Sequence, residues 1–77
     1  MQKYLILYGT VGCHLCDDAE RVLQTLGLAY QTIDIIDDNR LLEKFATSIP
    51  VLQGADESYL YWPFDTEQVT HWLSEHR

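Results

Sequence analysis

The run Tyr4-Leu5-Ile6-Leu7-Tyr8 is apolar at every position. A strand with one face in water alternates apolar and polar side chains, so a short run without alternation is expected in a strand buried on both faces, as the central strand of a parallel sheet is. Packed cover is then needed above and below it. In a chain of 77 residues, one domain of a size at which a core alone supplies only about 3 to 5 kcal/mol, every other element has to pack.

After that strand, Gly9-Thr10-Val11-Gly12 reads as a loop, and Leu15, Ala19, Val22, Leu23 and Leu26 recur at helical spacing up to a stop at Gly27. Tyr30 to Ile36, rich in β-branched and aromatic residues, returns as a second strand through a right-handed crossover, so the sheet begins parallel. Asp37, Asp38 and Asn39 are helix-start residues, with Leu41, Leu42 and Phe45 as the apolar face of a short helix ending near Thr47. Pro50 precedes Val51-Leu52-Gln53. Gly54 to Glu57 then separates that run from Ser58-Tyr59-Leu60-Tyr61, the pattern of an antiparallel hairpin, and Pro63 stops the sheet. Asp65 with Gln68 forms a capping-box pattern, and Val69, Trp72 and Leu73 give the last helix a buried face. The predicted order is β-α-β-α-β-β-α over residues 1–77, a single α/β domain with a four-stranded mixed sheet and three helices.

Hydrophobic residues make up 47% of the chain, which marks it as globular, and no segment approaches the roughly 18 continuous apolar residues of a membrane span. Twelve acidic against five basic residues give a charge of −7, which repels phosphate backbones and anionic lipid surfaces and argues against nucleic acid or membrane as a partner. Met1-Gln2-Lys3 runs into the first strand without a basic leader or a small-residue cleavage site. The expectation is a soluble, cytoplasmic monomer.

Cys13-His14-Leu15-Cys16 opens the first helix. A bridge here closes a four-residue loop and stabilises the fold by only about 2 kcal/mol in the chain-entropy model. It would be a weak staple, and cytosolic thiols are normally reduced, so a CxxC pair beside a strand-helix-strand pattern points to redox exchange. Residues three apart at a helix start face each other across one turn, close enough for a disulfide. Cys13 meets the positive helix end, where unpaired N–H groups favour a thiolate by up to about 2 kcal/mol. It is the candidate nucleophile and Cys16 the resolving thiol. His14, when protonated, would favour the thiolate further, whereas Asp17 and Asp18 oppose it and serve as favourable charge in a first helical turn.

Three motifs, Gly12-Cys13-His14-Leu15-Cys16, Ile49-Pro50-Val51 and Trp62-Pro63-Phe64-Asp65, together resemble the glutaredoxins, and more closely a bacterial glutaredoxin-like family of short proteins with G-C-x-L-C, I-P-V and W-P-F-D segments. The resemblance spans almost the whole chain and implies the thioredoxin fold. It further implies that Pro50 is a cis-proline beside the thiols, that Ile49 presents its backbone to substrate, and that protein or small-molecule disulfides are reduced with electrons from a cellular thiol. Glutathione is the reductant such a resemblance brings with it, but two departures work against it. Thr10 stands where a lysine is expected, and the Gly-Gly pair before the last helix is absent. Asp65 matches an acid that meets the glutathione amine, but on the residues alone it reads first as a helix cap.

Two other functions stay open on the residues alone. One is a non-catalytic thioredoxin-like module that binds a partner or senses redox state. The other is an iron-sulfur cluster held between two copies, since Cys13, His14 and Cys16 are too few for a metal site in one chain and His71 and His76 do not share a helical face. No resident metal or cofactor is expected.

Overall fold

A computed structural model describes residues 5–75 of the chain. Tyr4, expected to open the first strand, and His76 lie outside the described residues. The elements run β1 (Leu5–Gly9), α1 (His14–Thr25), β2 (Tyr30–Asp34), a 3-10 turn (Ile35–Asp37), α2 (Asn39–Phe45), β3 (Val51–Gln53), β4 (Tyr59–Tyr61) and α3 (Thr66–Glu75). The sheet order is β2-β1-β3-β4. β1 pairs parallel with β2, from Leu5 opposite Tyr30 to Gly9 opposite Asp34. It pairs antiparallel with β3, and β3 pairs antiparallel with β4. This is the thioredoxin-like α/β arrangement that the sequence leads one to expect.

β1 is central and splits its side chains between two cores. Leu5 and Leu7 pack with Ala19 and Leu23 of α1, Leu52, Phe64, and Val69 and Trp72 of α3. Tyr8 packs on the opposite side with Ile35, Phe45 and Val51, and Ile6 joins it there. The absence of alternation in the sequence follows from this: both faces of β1 are covered, α1 and α3 on one and α2 on the other.

Local chemistry sets the element ends. Helix α1 closes with Gly27 at φ 69°. Its N–H donates to the Gln24 carbonyl at 3.0 Å and the Leu28 N–H to the Leu23 carbonyl at 3.1 Å, a Schellman closure with Leu28 packed against the core cluster that includes Leu23. In the β3–β4 turn, the Gly54 N–H donates to the Ser58 carbonyl at 2.9 Å, and Asp56 accepts from the Ser58 N–H at 3.1 Å.

Three details differ from expectation. The second strand stops at Asp34 because that carboxylate accepts from the Ile36 N–H at 3.1 Å and starts the 3-10 turn, leaving Ile36 exposed and Ile35 buried. Asp38 then caps α2, accepting from the Arg40 N–H at 2.8 Å, and the helix ends at Phe45 rather than near Thr47. Leu15 and Leu42 stand on outward faces of their helices, 48% and 37% exposed, because Cys16 and Ala19 fill the inward positions of α1 and Phe45 that of α2.

Candidate functional site

The loop after β1 delivers Cys13 to the start of α1. Gly12 has φ 81°, in the left-handed region where a side chain is strained, and Cys13 follows in an extended conformation as the N-cap. The Cys13 carbonyl accepts the first helical bond from the Asp17 N–H at 3.2 Å, and its Sγ accepts from the Cys16 N–H at 3.1 Å. A sulfur therefore takes the place that a serine or aspartate oxygen occupies at an ordinary helix start. Cys13 and Cys16 are joined as a disulfide, with Cα atoms 5.2 Å apart. Cys13 is half-buried, whereas Cys16 is only 6% exposed. The two sulfurs thus differ in access, and the outer one sits among the unpaired N–H groups of the helix end.

Gly9, expected only as a loop residue, ends β1 and makes the inner position possible. A Cβ placed on it would lie 2.8 Å from Cys16 Sγ and 3.2 Å from Cys16 Cβ. The signal in the sequence was a glycine at the very end of an apolar run, which marks a close approach to backbone.

Pro50 joins the same neighbourhood through the sheet. Tyr8 lies opposite Val51, the residue after Pro50, and Gly9, against which Cys16 packs, follows Tyr8. The Ile49–Pro50 bond is cis, and so is Trp62–Pro63, for which the sequence carried no expectation of a cis bond. The Pro50 carbonyl accepts from the Trp62 N–H at 3.3 Å, joining the second and third motifs directly. Ile49 packs with Tyr8 and Phe45 on the α2 side, and its N–H donates to the Phe45 carbonyl at 3.2 Å.

The remaining candidates divide. Thr10 is half-buried in the loop and His14 is exposed next to Cys13. Asp65 is exposed and engaged in a reciprocal cap: its carboxylate accepts from the Gln68 N–H at 2.8 Å, and Gln68 Oε1 accepts from the Asp65 N–H at 3.1 Å. Asp65 borders a shallow groove with Leu26 and His71 whose lining contains neither cysteine. Phe64 is buried and meets Trp62 edge-on at 5.0 Å, which makes it core. Tyr8 is core too, donating to Gln53 Oε1 at 2.6 Å, and burial holds its hydroxyl pKa above the usual 10.0. Among the described residues no three His, Cys, Asp or Glu side chains converge as a metal site would require.

A cleft of about 390 Å³ opens beside the disulfide, between the first turns of α1 and the end of β2. Leu7 and Gly9 are in its lining together with Thr10, Val11 and Gly12 of the loop; Cys16, Asp17 and Glu20 come from α1 and Thr32 to Asp34 from β2. No helix among the described residues is long and apolar enough to cross a membrane.

Comparison with known proteins agrees with this geometry. Among curated proteins nothing matches. Among solved structures, the chain is similar to the X-ray structure of protein XcR50 from X. campestris, with 36% identity, a TM-score of 0.86, and coverage of 92% of this chain and 96% of that one. The solution structure of the same protein gives 36% identity and a TM-score of 0.84, over 94% of each chain. The solution structure of protein Ne2328 from Nitrosomonas europaea shares the fold at 23% identity, with a TM-score of 0.80 and coverage of 94% of this chain and 92% of that one. The family profile described as Glutaredoxin-like domain (DUF836) matches residues 4–74, nearly the full chain, and the protein belongs to that glutaredoxin-like family.

Proposed function

We propose that the protein is a cytoplasmic thiol-disulfide oxidoreductase in which Cys13 is the nucleophile and Cys16 the resolving thiol. The observation that carries this reading is the asymmetry of the pair: a half-buried cysteine at a helix N-cap, bonded to an almost fully buried one a single turn further in. In the reduced state the Cys16 N–H and the positive helix end favour the Cys13 thiolate by up to about 2 kcal/mol. That thiolate attacks a substrate disulfide and forms a mixed disulfide. Cys16 then loses its proton and attacks Cys13 Sγ, which releases the substrate thiol and closes the internal bridge.

On the cis-proline side of the site the half-buried Ile49 meets the substrate strand, and Pro50, itself fully buried, shapes the chain beneath it. His14 modulates the outer thiol and Thr10 the loop next to it. The enzyme works as a monomer on protein or small-molecule disulfides and is recharged by a cellular thiol. Glutathione is a poor candidate for that role, because Thr10 supplies no cation for its carboxylates and the protein carries −7. Asp65 borders a groove that contains neither cysteine, which sets its carboxylate apart from the cleft beside the disulfide.

A redox titration in defined dithiol buffers, with free thiols trapped and counted by mass, tests the reading. The expected result is a reversible two-electron couple between roughly −300 and −120 mV, with Cys13 alkylated much faster than Cys16 at pH 6 and disulfide reductase activity abolished in Cys13→Ser. Equal, slow alkylation, or full activity in Cys13→Ser, would leave a non-catalytic binding module in its place.

A further inference from the structure

We infer that the substrate is a polypeptide disulfide with basic residues beside its cysteine, which it lays in the cleft between α1 and β2. The inference rests on the exchange chemistry proposed above and adds the class of substrate.

The cleft borders the disulfide through Cys16, so a chain whose sulfur has bonded to Cys13 has its flanking residues within reach of it. Its volume of about 390 Å³ suits a few side chains rather than a whole folded surface. Among the described residues that line it, Asp17, Glu20 and Asp34 carry carboxylates and none is a lysine, arginine or histidine. Two of the three are fixed in place. Glu20 Oε1 accepts from the Tyr30 hydroxyl at 2.7 Å, and Asp34 Oδ1 from the Ile36 N–H at 3.1 Å, each bond using one oxygen of its carboxylate. Arg21, the cation nearest in sequence, is paired with Asp18 at 2.7 Å outside the lining. Oriented anionic groups in a concave site focus the field and favour a cationic ligand.

Apolar contacts accompany the charge. Val11 is 90% exposed and Leu15 48%, one on each side of Cys13, while Ile36, just past Asp34, is 63% exposed. Exposed apolar side chains beside a reactive sulfur give a polypeptide area to cover that a small thiol would leave in water. An anionic tripeptide such as glutathione faces three carboxylates here and no cation.

In the exchange, the Cys13 thiolate attacks one sulfur of the peptide disulfide, and that bond breaks to expel the other sulfur as a thiolate, which takes up a proton. Cys16 gives up its proton and bonds to Cys13, and the second peptide thiol leaves protonated. The peptide gains two electrons and two protons, and the protein dithiol becomes a disulfide that dithiothreitol restores.

The test compares two disulfide-linked peptides, identical except for lysine or glutamate on either side of the cysteine, with the neutral disulfide of mercaptoethanol and with oxidised glutathione. The expected kcat/KM for the lysine peptide exceeds that for the glutamate peptide and oxidised glutathione by about tenfold or more at low salt. The preference is expected to collapse at 1 M salt, where the screening length is about 3 Å. In the combined variant Asp17→Asn, Glu20→Gln and Asp34→Asn the lysine-to-glutamate ratio falls towards one, with amide oxygens still able to serve Tyr30 and the Ile36 N–H. Reduction of the neutral disulfide with no charge preference among peptides, or faster reduction of oxidised glutathione, overturns the inference and leaves the exchange chemistry standing. No reduction of any of the four removes both. Should the combined variant fail to fold, the salt dependence of the unaltered protein decides.

Discussion

Gly9 shows how much of this site rests on one missing carbon. Its register partner in β2 is Asp34, and Cys16 Sγ fills the space above it. An alanine would gain roughly 0.4 to 1 kcal/mol from a less flexible unfolded chain. The 2.8 Å approach to Sγ works against that, since the sulfur is tied to Cys13 and has little freedom to move aside. Overpacking of this kind costs about 1 to 3 kcal/mol, so the clash wins. Gly9→Ala is expected to lower unfolding free energy in urea by about 1 to 2 kcal/mol, and the loss is expected to shrink in a Cys16→Ala background. An equal loss in both backgrounds would place its cause elsewhere than the sulfur. The cysteines were legible because their chemistry is local, and Pro50 only through the family resemblance. Gly9 was legible only as a glycine closing an apolar run, because which group approaches it is settled only once a helix is folded against the strand end.

At the scale of elements, the caps were the easiest features to read. The Asp65–Gln68 box, the stop at Gly27 and the Asp38 cap of α2 are each set by two or three neighbouring residues, and each lies where its sequence puts it. Asp65 is the informative case, because the family resemblance offered it a second role. Its carboxylate satisfies a helix N–H that otherwise faces solvent, so Asp65→Ala is expected to cost about 1 kcal/mol, seen as a lower melting temperature, and Asp65→Asn much less. A stability unchanged in Asp65→Ala would return the carboxylate to the pool of ligand-binding groups. What periodicity could not resolve was which side of a helix turn faces the sheet at its overhanging end. Leu15 fits the apolar stripe of α1, yet the inward position of that first turn belongs to Cys16. The end of β2 was missed for a related reason. Asp34 has a strand-compatible backbone, but its carboxylate competes for the Ile36 N–H and turns the chain.

For the whole molecule, the central question is whether the disulfide holds the fold together or merely sits on it. The two cores lie on opposite faces of β1, and Cys16 belongs to neither buried cluster, although it packs against the end of the strand they share. The fold is therefore built from contacts that survive reduction. Closing a four-residue loop favours the oxidised form by about 2 kcal/mol. In the reduced form, the helix end and the Cys16 N–H return up to about 2 kcal/mol through the Cys13 thiolate, an interaction absent from the unfolded chain. These terms oppose each other, so oxidised and reduced proteins are expected to differ in unfolding free energy by less than about 2 kcal/mol. The reduced protein is expected to keep its far-ultraviolet circular dichroism and a cooperative urea transition. Because stability difference and reduction potential are linked, two forms so close in free energy leave the pair reversible within the range of cellular dithiols. Loss of the cooperative transition on reduction would instead make the bridge a structural clamp, and an enzyme that unfolded in each turnover could not use it as a reagent.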